Sequence, residues 1–79
     1  MLVEITQKHI NKAVKGHCSQ CPIALALAEQ FGEKAFVGSV SASVADKNFL
    51  LKDDARRFVM NFDGGVKVTP CTVELLDDC

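Results

Sequence analysis

The apolar residues of this chain change spacing several times, and each change marks an element. Leu2-Val3-Glu4-Ile5 alternates over a short span and predicts a strand. Thr6 is a good N-cap for a first helix over residues 7–15. There Ile10, Ala13 and Val14 make an apolar stripe, Lys8, Lys12 and Lys15 face water, and Gly16 can supply a left-handed C-terminal residue. The second helix, residues 22–31, opens at Cys21-Pro22, where proline in the first helical position gives up no needed N–H, and closes at Gly32. Ile23, Leu27 and Phe31 share one face with Ala24 and Ala28 beside them, while Leu25 points nearly opposite. A helix apolar most of the way round is buried on two sides, so it belongs between the first helix and the sheet; the same pattern also suits a partner-binding surface.

Residues 35–45, AFVGSVSASVA, alternate again: Phe36, Gly38, Val40, Ala42 and Val44 on one face, Ser39, Ser41 and Ser43 on the other. One strand is expected, with the apolar set toward the helices. Asp46-Lys47-Asn48 reads as a turn, with residues 48–51 as the returning arm of a hairpin. Ala55, Phe58, Val59 and Phe62 follow helical spacing and predict a third helix over 53–62, with Asp53 and Asp54 in the dipole-favoured first turn and Asp63-Gly64-Gly65 ending it. A last strand covers 71–76, with Pro70 at its start. The expectation is one α+β domain over residues 1–79, two-layered, with three helices on one face of a mostly antiparallel four-stranded sheet in the order β-α-α-β-β-α-β. Its expected core is Ile5, Ile10, Val14, Ile23, Leu27, Phe31, Phe36, Val40, Phe58, Val59, Phe62 and Val73.

Length and composition narrow the function classes. A chain of 79 residues buries only about 60% of its unfolded surface, so a deep catalytic cleft is hard to build. The apolar and charged shares, 48% and 24%, are those of an ordinary folded domain and argue against disorder. The longest apolar run, Ile23 to Ala28, is far short of the roughly 20 residues that span a bilayer. No basic-then-apolar leader opens the chain, so a cytoplasmic protein without a membrane partner is expected. A net charge of −1 gives no field that would draw it directly to nucleic acid. The charge is uneven, though: residues 1–34 carry four Lys against three acids, and residues 35–79 carry five Lys and Arg against seven acids.

The strongest chemical candidate is Cys18-x-x-Cys21, preceded by His17. Four cysteines spaced C-x2-C…C-x7-C could bind zinc, with His17 replacing one ligand, but Cys71-x7-Cys79 is too loose for the second pair of a structural site. A thiol at a helix N-terminus, near His17 or Lys15, could be acidified for redox work, yet the pair follows a helix and a glycine instead of the strand of a βαβ unit. The spacing favours a loop thiol and a cap thiol at the start of a helix, with no metal or cofactor required; Cys71, in a strand, is expected in the core. Asp53-Asp54 could hold a cation and Arg56-Arg57 a phosphate, but capping and a solvated face are the simpler readings. Gly64-Gly65 is a helix stop, since no helix follows it. No serine or histidine falls in a nucleophile setting, so no catalytic residue is expected.

The segment CPIALALAEQFG, the alternating small and apolar stretch after it, and LKDDARRFVMNFDGG with the closing TVEL resemble a family of small proteins encoded in bacteriophages and prophages. The resemblance runs over most of the chain, and the Cys-Pro step carries it best; Leu51-Lys52-Asp53-Asp54 departs from the proline-rich stretch often found there. It implies a protein acting in the host cytoplasm. By size and origin such chains are similar to anti-CRISPR inhibitors, which act stoichiometrically by covering a surface on a Cas effector. The expected partner is then a host protein complex, with Asp46, Asp53, Asp54, Asp63, Glu74, Asp77 and Asp78 meeting a basic nucleic-acid-binding channel. A small metal or thiol-redox module using Cys18 and Cys21, and a phage structural or assembly accessory protein, are the alternatives.

Overall fold

The computed structural model describes residues 1–77, and the order is β1 (Leu2–Ile5), α1 (Gln7–Lys12), α2 (Pro22–Phe31), β2 (Ala35–Val37), β3 (Ser41–Val44), β4 (Lys47–Leu51), α3 (Asp53–Asp63) and β5 (Cys71–Asp77). The strands form one sheet in the order β1-β5-β4-β3-β2, antiparallel at every pairing. The α+β class and the three helices agree with the expectation, but the sheet has five strands where four were expected.

The fifth strand comes from dividing residues 35–45. Ala35 pairs with Val44 and Val37 with Ala42, while Gly38 donates its N–H to Ser41 at 2.7 Å, leaving Ser39 and Val40 as a two-residue hairpin loop. Such a loop joins residue i to i+3, so partner numbers sum to an odd value and the inward parity flips. Ala35 and Val37 point inward before the turn, and Ala42 and Val44 after it. The second hairpin flips parity again: Val44 pairs with Lys47, and Phe49 and Leu51 point inward. Its loop is Ala45-Asp46, with φ of 52° and 61°, both left-handed as a type I′ turn demands. The turn therefore lies one residue earlier than Asp46-Lys47-Asn48.

The helices start as the capping residues dictate. Thr6 caps α1: its hydroxyl accepts from the His9 N–H at 3.4 Å, and His9 Nδ1 accepts from the Thr6 N–H at 3.1 Å, a reciprocal capping box with His in place of Glu. α1 ends at Lys12, short of the expected 15, because Ala13 turns extended and Val14 donates its N–H to Gln20 at 2.8 Å. Gly16 is left-handed at φ 75°, but within the loop that follows. α2 runs over 22–31 as expected, and Gly32 at φ 72° closes it, donating to Ala28 at 2.8 Å. α3 extends one residue beyond 62, to Asp63.

α2 lies between α1 and the sheet, touching β1, β2 and β3, while α3 packs on β4 and β5. Both helices cover one face, into which Val3, Ile5, Ala35, Val37, Ala42, Val44, Phe49, Leu51, Val73 and Leu75 project. Ile5, Ile23, Leu27, Phe58, Val59, Phe62 and Val73 are buried as expected, and Ile10 and Phe31 pack half-buried against them. Val14, Phe36 and Val40 are exposed: Val14 lies past the helix end, and the hairpin turns Phe36 outward and puts Val40 in its loop. Burial of a Leu or Ile such as Ile5, Ile23, Leu27 or Leu75 stabilises the fold by about 1.5–3 kcal/mol each.

Candidate functional site

Cys21 is the N-cap of α2, its sulfur accepting the Ala24 N–H at 3.4 Å. Burial pushes its thiol above the ordinary 9.0; the N–H groups of Ala24 and Ile23 pull it down, and the Asp63 carboxylate adds to the rise. The outcome is a protonated thiol at neutral pH, the reverse of the acidified sulfur that disulfide chemistry uses. Cys18 is exposed, and its carbonyl accepts the Val37 N–H at 2.7 Å, which ties the loop to the edge of β2. His17 is exposed as well, with its carbonyl taking the Gln20 N–H at 3.1 Å. These residues border a depression of about 390 Å³ with Met60 and Asp63. Cys71 is exposed at the start of β5 instead of packed in the core, and partial burial with the nearby Asp54 raises its thiol. Among the described residues no group of three or more His, Cys, Asp or Glu is placed to hold a metal ion; Cys79 lies outside them.

The expected acidic surface divides into separate places. Asp53, Asp54 and Glu74 gather where β4 runs into α3. There the Asp54 carboxylate accepts N–H groups from Ala55 at 2.8 Å and Glu74 at 3.3 Å, while the Glu74 carboxylate lies 3.5 Å from Lys52 Nζ. Asp46 and Asp77 border a different depression, beside Phe31, Lys47 and Phe49. Asp63 faces the cysteine loop and accepts the Gly16 N–H at 3.3 Å. Asp78 lies outside the described residues. Arg56 and Arg57 are exposed on α3.

No helix among the described residues covers the sheet's other face, and its side chains form a pattern of their own. Leu50 and Leu76 are direct cross-strand partners, and Leu2, opposite Glu74, is the diagonal neighbour of Leu76. They make an apolar stripe across β4, β5 and β1, with exposures of 42%, 45% and 65%. Ser41 and Ser43 continue it as small residues to Phe36, whose ring lies 5.6 Å from Lys34 Nζ. The centre of the stripe opens into a depression of about 490 Å³ bordered by Leu50, Leu76, Lys52, Asp53, Asp54 and Glu74. Adjacent apolar residues large enough to be buried, yet left in water, are what a binding surface requires.

Of the predicted site residues that the structure describes, Asp53, Asp54 and Glu74 border the leucines of this stripe, and Asp46 lies beside Ser43 and Phe36 at its other end. The leucines were missed, although the doublets Leu50-Leu51 and Leu75-Leu76 signal them: in a strand, two consecutive apolar residues make both faces apolar. His9 was missed too. It is buried, and its Nε2 lies 3.4 Å from Glu29, so it joins α1 to α2 as well as capping α1. No helix among the described residues is long and apolar enough to cross a membrane. No protein family, curated protein or solved structure matches this chain.

Proposed function

We propose that this protein is a stoichiometric binding protein that covers a partner's surface with the open face of its sheet, and that its partner is a host defence complex of the CRISPR-Cas kind. The observation that carries the binding reading is the stripe of Leu2, Leu76 and Leu50, apolar and uncovered on a sheet whose opposite face is fully packed. The resemblance of CPIALALAEQFG and its flanks to phage-encoded proteins supports the choice of partner. Binding without turnover accords with a Cys21 thiol that serves as a cap and stays protonated.

The test is survival of phage or plasmid in hosts with active CRISPR immunity of each type, comparing the wild type with Leu50→Ser/Leu76→Ser. Protection by the wild type, lost in a variant that keeps its circular dichroism spectrum, is the expected outcome. Absence of protection against every CRISPR type overturns the defence-complex partner and favours an assembly accessory role.

A further inference from the structure

The depression at the junction of β4 and α3 combines two chemistries. Leu50 and Leu76 supply an apolar floor, while Asp53, Asp54 and Glu74 supply three carboxylates against the single ammonium of Lys52. Lys52 is already beside Glu74 at 3.5 Å, and Asp54 is held by the N–H groups of Ala55 and Glu74. Glu4, on the same outer face of β1, adds another acid. The site as a whole is apolar with an acidic surplus.

We infer that this depression docks a protein segment in which apolar side chains alternate with Lys or Arg. The inference deepens the reading of the open face as a binding surface and rests on it. Apolar contact with Leu50 and Leu76 provides the desolvated centre, and the surplus acids select basic flanks and speed encounter. A second copy docked face to face is disfavoured, because it would bring together two surfaces with the same acidic surplus. Nucleic acid and anionic lipid are disfavoured by the same carboxylates.

Three synthetic nonapeptides test it, with alternating Leu/Lys, Leu/Glu and Ser/Lys sequences, titrated into the full chain by NMR. The Leu/Lys peptide is expected to shift the signals of Leu50, Lys52 and Leu76, and to bind at least about tenfold more tightly than either control. Asp53→Lys/Glu74→Lys should cut that affinity by about tenfold or more, and Leu50→Ser by a similar factor. Should the Lys pair unfold, Asp53→Asn/Glu74→Gln removes the same charges without reversing them. Equal binding of Leu/Lys and Leu/Glu, equal binding of Leu/Lys and Ser/Lys, shifts confined to α1 or to residues 56–63 of α3, or sedimentation showing self-association through these residues would each overturn the inference. Host protection can fail while peptide selectivity stands, and selectivity can fail while protection stands, so the two readings are separable.

Discussion

Leu75 and Leu76 are neighbours in β5 and chemically identical, yet one is wholly buried and the other 45% exposed. Leu50 and Leu51 repeat the contrast in β4, in the opposite phase. The inner face, with Val3, Val37, Ala42, Val44 and Val73, meets α2 and α3 and loses its contact with water. The outer face carries leucines among Ser41, Ser43, Asn48, Thr72 and Glu74, and no helix among the described residues covers them. What an apolar residue does in this fold is thus decided by cover. Stability is concentrated on one face, which leaves the chemistry of the other free for recognition.

The largest effect that can break this comparison is on stability. Leu75→Ala should cost about 2–5 kcal/mol, since it opens a cavity under α3. Leu76→Ala, already half in water, should cost less than about 1 kcal/mol. For a chain of this length, total stability is on the order of 4–12 kcal/mol, so the first variant approaches unfolding and the second does not. Urea denaturation of both measures the difference. Equal losses would mean that Leu76 is covered in solution, and the two faces would no longer be distinct in kind.

The helices were legible because their signals are local. Pro22 and Gly32 bound α2 to the residue, and the 55-58-59-62 spacing fixes the buried face of α3. The division of residues 35–45 was not legible, because either parity gives a plausible apolar set: Phe36, Val40, Ala42 and Val44, or Ala35 and Val37 followed by Ala42 and Val44. The choice depends on a turn at Ser39-Val40 that has no left-handed glycine to mark it. The site was only partly legible for a related reason. Acidic residues stand out in a sequence, whereas an exposed leucine becomes informative only once its cross-strand partner is known, as Leu50 is known from Leu76.

A smaller effect sharpens the comparison through the turn that sets β3 against β4. Asp46 holds φ at 61° in the second position of the type I′ turn, where glycine is unstrained. Asp46→Gly should add about 0.5–1 kcal/mol of stability. In thermal denaturation that is a rise in Tm of a few degrees, about 4–8 °C per kcal/mol for a domain this small. Asp46 borders a different depression from Leu50 and Leu76, so affinity for the Leu/Lys peptide should stay unchanged. A fall in affinity would show that the contact surface extends to the hairpin.

The smallest effect concerns the two cysteines, which repeat the leucine contrast three residues apart. Cys18 is exposed and Cys21 buried as a cap. Burial raises the folded thiol of Cys21 above its ordinary 9.0, and this fixes the sign of a pH dependence. Well below pH 9 both folded and unfolded chains hold the proton, and the cap's contribution is complete. As pH rises past that value the unfolded thiol ionises first, the unfolded state gains, and stability declines until the folded thiol also titrates. Cys71 is shifted the same way, so the comparison is made on a Cys71→Ser background. There, Cys21→Ser keeps an oxygen to accept the Ala24 N–H but does not titrate. Its urea midpoint should fall less steeply above pH 9 than that of the Cys21 protein. Identical slopes with and without the Cys21 thiol would mean that this sulfur is open to water, and the loop before α2 would belong with the exposed side of the molecule.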